Sequence, residues 1–196
     1  MHQNIVPIIL AAGRSPHLPF PKALAVFGNS TAIDIAVANC GGLGGPFVVL
    51  GSDAGLIRPA VPENATIVLN PRWHEGQLSS LQAALRHVPL PSAFMLYPVD
   101  HPLLLQQTIQ QLVEAFCARN DSELIAMPRH NGSFGHPVIL AAELREELMA
   151  AETAREVVYS LPERIKILEA QTSAIYDDFD TPESYRACVQ KFEARN

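Results

Sequence analysis

The sequence has no uninterrupted apolar segment long enough to cross a membrane. A transmembrane helix needs about 20 apolar residues, whereas the best candidate, residues 5–13, has only nine. No Lys or Arg precedes that segment, although a secretory signal begins with positive charge. We therefore expect a protein without a membrane span, in which the first apolar segment is retained as part of the fold.

Cysteine is scarce and scattered. Cys40, Cys117 and Cys188 are the three cysteines of the chain, and they form no Cys-x-x-Cys pair. Disulfide frameworks and zinc clusters need cysteines at short, paired spacing, and no histidine pair shows the HExxH spacing of a zinc site. Isolated thiols are typical of a reducing compartment, so a cytoplasmic protein is expected.

Positive charge is scarce as well. Fourteen Lys and Arg residues against 20 Asp and Glu residues give a net charge of −6. A protein that binds nucleic acid or an anionic membrane surface needs a broad cationic face, so neither partner is expected. A local cationic pocket for one small anion is compatible with this balance.

The chain does have short apolar segments typical of buried strands, which alternate with longer segments that show helical spacing of apolar residues. Hydrophobic residues make up 48% of its 196 residues, enough for one core. Strands are predicted at residues 5–10, 47–50, 66–69, 93–99, 124–127, 138–140 and 165–168. Helices are predicted after Ser30 or Thr31, after Asp53, and over residues 78–88, 109–116, 143–149, 153–160 and 185–192. This alternation predicts βαβ units in one α/β domain, residues 1–196, with a parallel or mixed sheet covered on both faces.

The residues after the first predicted strand have the composition of a phosphate-binding turn. Ligands of open α/β sheets bind where the strands end. The small residues Ala11, Ala12 and Gly13 let backbone N–H groups approach phosphates, and Lys22 supplies positive charge for a breaking phosphoryl bond. The segment is neither a GxGxxG fingerprint nor a Walker loop. A plain turn with a solvated lysine is the alternative.

Acidic residues mark two further loops. Asp100 ends the strand predicted at 93–99, and Asp180 belongs to the acidic turn at 176–183. If the two loops meet, two carboxylates would hold one Mg²⁺ against a polyphosphate. The alternative for each is a capping role at the start of the following helix, and one residue can serve both purposes.

A fourth polar segment, residues 70–81, leads into a predicted helix. Ser79 or Ser80 near its N-terminus could orient a base or a phosphate through hydroxyl and backbone donors. The alternative is that the serines cap the helix and that Trp73 packs in the core.

In this order, these segments resemble the MobA-like nucleotidyltransferase family, and most closely its molybdenum cofactor cytidylyltransferase branch. The family pattern LAAGxSxRMGxPK aligns without gaps on residues 10–22, and N-x-x-W-x-x-G-x-x-S-S-L aligns on residues 70–81. Residues 100–103 resemble the family's DQPL element, and residues 135–138 its GHPV element. Residues 153–155 resemble its G-A-R element, and residues 178–185 its DIDTPEDY element. The resemblance runs through nearly the whole chain.

The resemblance implies a Rossmann-like three-layer α/β/α nucleotidyltransferase fold with a mostly parallel central sheet. It implies a Mg²⁺-dependent transfer of CMP from CTP, or of another nucleotide, to molybdopterin with release of pyrophosphate. A molybdoenzyme that receives the product is the partner implied by this reaction. Ala12, where guanylyl members carry a second glycine, favours cytosine as the base.

Site residues carry over from the family by position. The nucleotide-binding residues implied in this way are Leu10, Ala11, Ala12, Gly13, Arg14, Ser15, His17, Lys22, Ser79, Ser80 and Asp100. Lys22 and Asp100 take the catalytic roles, and Asp100 and Asp180 the metal. The residues implied for the acceptor are Gly135, His136 and Pro137.

The sequence departs from the family pattern at His17, Leu18 and Pro19, where the family has Arg-Met-Gly. Imidazole offers fewer charged donors to phosphate than guanidinium, and Pro19 removes a backbone N–H from the loop. Arg14 is a candidate to take over part of the triphosphate contact. Two alternatives stay open: the same fold acting on another base or phosphorylated acceptor, and a non-catalytic carrier of nucleotide or molybdopterin.

Overall fold

A mostly parallel sheet of eight strands forms the centre of the protein, in a computed structural model that describes residues 4–195. The strands of this part of the chain are β1 (Ile5–Ala11), β2 (Val26–Phe27), β3 (Ser30–Thr31), β4 (Phe47–Leu50), β5 (Thr66–Leu69), β6 (Ala93–Pro98), β7 (Ile125–His130), β8 (Ser133–Phe134), β9 (Val138–Leu140) and β10 (Ile165–Glu169). β2 and β3 pair separately, as an antiparallel hairpin.

The strand order of the main sheet is β10-β7-β9-β6-β1-β4-β5, and β8 pairs antiparallel with the end of β7. β9 runs antiparallel to both of its neighbours, β6 and β7, whereas β1 is parallel to β4 and β6. All seven residues of β1 are buried, as expected for a strand in the middle of a sheet that is covered on both faces. The carboxyl ends of β1, β4 and β6 therefore lie side by side at one edge of the sheet.

Helices cover both faces of this sheet. They are α1 (Ala32–Asn39), α2 (Ala54–Ile57), α3 (Gln77–Leu85), α4 (Gln106–Cys117), α5 (Arg145–Ala150), α6 (Ala154–Tyr159) and α7 (Pro182–Glu193). Successive side chains of a strand point to opposite faces, and accordingly Ile9 packs in the cluster with α1, α4 and α7. Ile8 and Leu10 pack in the other cluster, with α3, α5 and α6. The three-layer α/β/α architecture with a mostly parallel sheet is thus confirmed.

Local sequence signals account for most element boundaries. The strands predicted at 47–50, 66–69 and 138–140 have those bounds. Thr31 caps α1, because its Oγ1 accepts a hydrogen bond from the Asp34 backbone N–H at 3.3 Å, while the Asp34 carboxylate accepts one from the Thr31 N–H at 2.9 Å. The short strands β2, β3 and β8 were not predicted, since two residues carry no readable period. Within residues 4–195, no helix combines the length and the apolar composition needed to span a bilayer.

Candidate active site

Two adjoining cavities open at the edge of the sheet where β1 and β6 end. The first cavity, of about 230 Å³, lies between the loop after β1, the start of α3 and the end of β6. The second cavity, of about 390 Å³, lies between the end of β6, the loop before β9, and α6. Gln77, Pro98 and Asp100 line both of them. A ligand in either cavity therefore reaches Asp100.

Lys22 contacts carboxylates from two distant parts of the chain. Its Nζ lies 2.6 Å from Asp100 Oδ2 and also forms an ion pair with Asp180 Oδ1. The side chains of Lys22 and Asp100 are 18% and 19% exposed, whereas that of Asp180 is 64% exposed. Because both carboxylates contact the same nitrogen, they are close enough to share one cation.

Hydrogen bonds and ion pairs within this cluster stabilise the ionised forms of Asp100 and Lys22. Burial alone would raise the pKa of Asp100, but the hydrogen bond to His101 Nδ1, at 3.1 Å, and the Lys22 ammonium hold it well below its ordinary value. Burial likewise opposes the charge of Lys22, yet Asp100 and Asp180 together keep its pKa above the ordinary value. The lysine and Asp100 are therefore both ionised at neutral pH.

The donor set at Asp100 and Asp180 fits a hard divalent cation. Within residues 4–195, no group of three or more His, Cys, Asp and Glu side chains is arranged to enclose a metal. Mg²⁺ does not need such an enclosure, because it is commonly bound by one or two carboxylates together with water and substrate phosphates. Two carboxylates that already share one cation meet that requirement.

Side chains of the loop after β1 stabilise its conformation. The Ser15 Oγ accepts a hydrogen bond from the Lys22 backbone N–H at 3.0 Å, and Leu18 is buried. Arg14 and Lys22 line the first cavity, together with the predicted residues Leu10, Ala11, Ala12 and Gly13. His17 is exposed and is not among the residues that line this cavity. The cations that face the first cavity are thus Arg14 and Lys22.

The two predicted serines have different surroundings. Asn70 Nδ2 donates to the hydroxyls of Ser79 and Ser80 at 2.9 and 3.0 Å. The single hydroxyl proton of Ser79 is within reach of the carbonyls of Arg72 and Gly76, at 2.9 and 2.8 Å, so this hydroxyl orders the loop before α3. Ser80 lines the first cavity, and Ser79 does not.

Trp73 packs against the core and also lines the first cavity. It approaches the chain at Gly51, where an added Cβ would lie 2.5 Å from Trp73 Cβ and 2.6 Å from the Ala12 carbonyl oxygen. A side chain at position 51 would therefore force Trp73 or the Ala12 carbonyl to move. Sequence reasoning missed Gln77 and Ile57 in the first cavity, since neither carries a chemical signal of its own.

The predicted acceptor residues lie at the second cavity. Gly135 and His136 line it, and Pro137 is buried beside them. The His136 N–H donates to the Ile175 carbonyl at 2.7 Å, and a Cβ on Gly135 would overlap the same carbonyl. This close approach explains the glycine before His136.

Two histidine rings stand together in the second cavity. The ring centroids of His101 and His136 are 5.1 Å apart in an edge-to-face arrangement. His136 Nδ1 is buried and has no hydrogen-bond partner among the described residues. Burial, with the neighbouring His101, lowers the pKa of His136 to about 4, so this imidazole is neutral at pH 7.

The second cavity also contains residues that sequence reasoning did not single out for the site. These are Phe134, Arg155, Tyr159, Tyr176 and Asp178. Burial, and then the charge of Asp100, raise the pKa of Asp178 above its ordinary value. Two signals were available: the resemblance of residues 153–155 to the G-A-R element, and the acidic turn at 176–183, which contains Tyr176 and Asp178.

Comparison with known proteins gives a consistent result. Residues 7–166 match the model of the MobA-like NTP transferase domain. The molybdenum cofactor cytidylyltransferase of Escherichia coli (strain K12) is 27% identical, over 94% of this chain and 95% of that protein. A nucleotidyl transferase from Methanothermobacter thermautotroptrophicus superposes with a TM-score of 0.83 at 18% identity, covering 98% of this chain and 99% of the other. Rv0371C of Mycobacterium tuberculosis H37Rv, in complex with manganese, superposes with a TM-score of 0.79 at 24% identity, over 97% of this chain and 100% of the other.

Proposed function

Since this chain belongs to the MobA-like NTP transferase family, we propose that it transfers CMP from CTP to molybdopterin and releases pyrophosphate. The E. coli relative is named for the cytidylyl transfer that we propose here. The observation that carries the proposal is that two cavities of different character meet at Asp100. Such an arrangement suits a reaction that joins two substrates.

We assign the nucleotide to the first cavity. Backbone N–H groups of Ala12 and Gly13 and the side chains of Arg14 and Lys22 are available to the triphosphate. Ser80 offers a hydroxyl to the base, and Ala12 favours cytosine by resemblance. These are binding roles, and they require no movement of the sheet.

Asp100 and Asp180 would hold the divalent cation of this reaction, Mg²⁺ in our proposal. When bound, such a cation would neutralise charge on the phosphate oxygens and, as a Lewis acid at those oxygens, make the phosphorus more open to attack. The manganese complex of the structurally similar Rv0371C supports a divalent cation on this fold. Lys22, which contacts both carboxylates, would turn its ammonium group toward the phosphates and pair with them.

We assign the acceptor to the second cavity, from which its terminal phosphate can reach the nucleotide next to Asp100. An oxygen of that phosphate attacks the α-phosphorus in line, and the bond from the α-phosphorus to the pyrophosphate oxygen breaks. A phosphate monoester is already largely ionised at pH 7, so no side chain has to remove a proton. The contributions of the protein are positioning and neutralisation of charge.

The alternative function, a non-catalytic carrier of nucleotide or molybdopterin, is supported by His17 and Pro19, at which the sequence differs from the family pattern. His17 lies outside the lining of the first cavity, and Arg14 and Lys22 supply cations there. This arrangement favours a transferase. We also propose that the reaction takes place in the cytoplasm, consistent with three free cysteines, and that a molybdoenzyme takes up the product.

Thermal unfolding with CTP, GTP, ATP or UTP, each with and without Mg²⁺, tests the proposal. A ligand at 100 times its Kd stabilises a protein by about 2.7 kcal/mol, and we expect the full shift only with CTP and Mg²⁺. Pyrophosphate release with molybdopterin as acceptor should then follow, and Asp100→Asn should abolish it. Equal shifts with all four nucleotides would contradict the choice of CTP. Binding of CTP without pyrophosphate release would favour the carrier.

A further inference from the structure

α6 presents an arginine without an ionic partner to the second cavity. Arg155 is the second residue of this helix, whose N-cap, Thr153, accepts a hydrogen bond from the Glu156 N–H at 3.2 Å. The Arg155 side chain lines the second cavity but not the first. Within residues 4–195 no carboxylate forms an ion pair with it, although Glu152 and Glu156 are near in sequence. Its guanidinium is therefore available to a ligand.

Arg155 brings a permanent positive charge to a cavity whose described lining also includes two carboxyl groups. Asp100 and Asp178 contribute carboxyl groups, and His136 is neutral at pH 7 because its pKa is about 4. Arg155 is the only Arg or Lys among the described residues that line this cavity. An anionic or electron-rich acceptor that enters a cavity with carboxylates in its wall is stabilised by an opposing cation. Arg155 supplies that charge.

An aromatic surface lies next to this guanidinium. Arg155 Cζ is 5.2 Å from the ring centroid of Tyr159, one helical turn further on. The Tyr159 ring contacts the edge of Phe134, with the centroids 6.3 Å apart. Aromatic faces favour flat rings as partners, and a guanidinium can both stack and donate paired hydrogen bonds in its own plane. The three side chains together suit a flat molecule with hydrogen-bond acceptors on its edge.

We infer that Arg155 and Tyr159 bind the part of the acceptor that is remote from its phosphate, and that this part is a flat nitrogen heterocycle. Its ring packs against Tyr159, and its carbonyl-bearing edge accepts hydrogen bonds from Arg155. This inference rests on the proposed function in one respect, namely that the acceptor occupies the second cavity. Arg155 is then a specificity-determining residue rather than a catalytic one.

Direct binding tests the inference without turnover. The probes are a fluorescent pterin monophosphate, which carries both ring and phosphate, and ribose 5-phosphate, which carries the phosphate alone. We expect the wild type to bind the pterin monophosphate. Arg155→Gln should weaken that binding by roughly 10- to 100-fold, because it removes a charge-assisted contact. Tyr159→Leu should weaken it by roughly two- to tenfold, because it removes an aromatic stacking surface. Binding of ribose 5-phosphate should be unchanged in both variants.

Arg129→Gln is the matched control. Arg129 Cζ also lies near the same aromatic pair, 5.8 Å from the Phe134 ring centroid, but this arginine is paired with Glu169 and does not line the cavity. Its replacement should leave the binding of both probes unchanged. Far-ultraviolet circular dichroism and thermal unfolding of each variant establish that α6 is still folded.

Three results would overturn the inference. If Arg155→Gln weakens both probes equally, this arginine binds phosphate and not the ring. If it weakens neither, or if the wild type does not bind the pterin monophosphate, the second cavity does not hold the ring. With turnover, Arg155→Gln should raise the KM for molybdopterin and leave the KM for CTP unchanged. Absence of pyrophosphate release in the wild type would instead count against the proposed function, and the binding result would stand separately.

Discussion

The Lys22 ammonium joins Asp100 and Asp180, residues that lie 78 and 158 positions further along the chain. A carboxylate that is paired with an ammonium group is less available to a metal ion. Under the proposed function, Lys22 would therefore compete with the divalent cation for both carboxylates until a triphosphate offers the lysine another partner.

Replacement of Lys22 by Met should strengthen the binding of Mn²⁺ in the absence of nucleotide. The variant leaves two carboxylates without their cation, and each unit of charge removed at short range changes affinity by about tenfold or more at an effective dielectric near 20. Counting free Mn²⁺ by electron paramagnetic resonance measures this, and CTP binding should weaken in the same variant. Lys191→Met, which removes the 2.7 Å ion pair to Asp177, is the control. Weaker or unchanged Mn²⁺ binding in Lys22→Met would show that ammonium and metal do not compete.

Arg14 should matter more to nucleotide binding than His17. Arg14 lines the first cavity, whereas His17 does not. A charged hydrogen bond to phosphate contributes about 1.5–3 kcal/mol, so Arg14→Ala should weaken CTP binding by roughly 10- to 100-fold. His17→Ala should change it by less than about threefold, within the effect of an exposed side chain. Isothermal titration calorimetry compares the two, and a larger loss from His17→Ala would mean that the loop folds over the nucleotide.

Gly51 should tolerate no side chain, because a Cβ there would lie 2.5 Å from Trp73 Cβ. Gly51→Ala should lower the free energy of unfolding by about 1–3 kcal/mol through overpacking and should weaken CTP binding by displacing Trp73. At Gly55, four residues on, an added Cβ meets nothing within 4 Å. Gly55→Ala in α2 should be neutral or stabilise by up to about 1 kcal/mol. Urea unfolding of both variants is the measurement, and equal stabilities would contradict the tight approach of Trp73.

His136 should make the protein less stable as the medium becomes acidic. Its pKa is about 4 in the folded protein against an ordinary 6.5, so between these values the unfolded chain binds more protons. Stability therefore falls as the pH is lowered from about 6.5 to about 4, by up to roughly 3 kcal/mol. His136→Gln should flatten this part of the profile of unfolding free energy against pH, whereas replacement of the exposed His87 by Gln should not. An unaltered slope in His136→Gln would assign the acid sensitivity to other groups.

Sequence reasoning located the sheet because its central strands are buried on both faces. β4 is a continuous apolar segment with a glycine cluster before it and Gly51 after it, so its limits follow from composition. Lys22, Asp100 and Asp180 stood out because each follows or faces the end of a strand, where the fold class puts ligands. That Lys22 contacts both acids depends on how distant loops fold over the sheet, and no local pattern encodes it.

The residues that were missed share one property: their sequence surroundings predict a packing or surface role. Trp73 is a large apolar side chain in a loop, and Arg155 is a charged residue on a short helix. Each lines a cavity because the fold brings its segment to the edge of the sheet where β1 and β6 end. Such placement is a tertiary property, so it becomes visible only in three dimensions.

Gln77, Pro98 and Asp100 form a wall that belongs to both cavities. Under the proposed function, each substrate occupies one cavity, whereas the dinucleotide product spans the wall and occupies both. The product must therefore leave two compartments at once and excludes CTP and the acceptor alike while it stays. Under that function, release of the product is the single event that frees both cavities for the next pair of substrates.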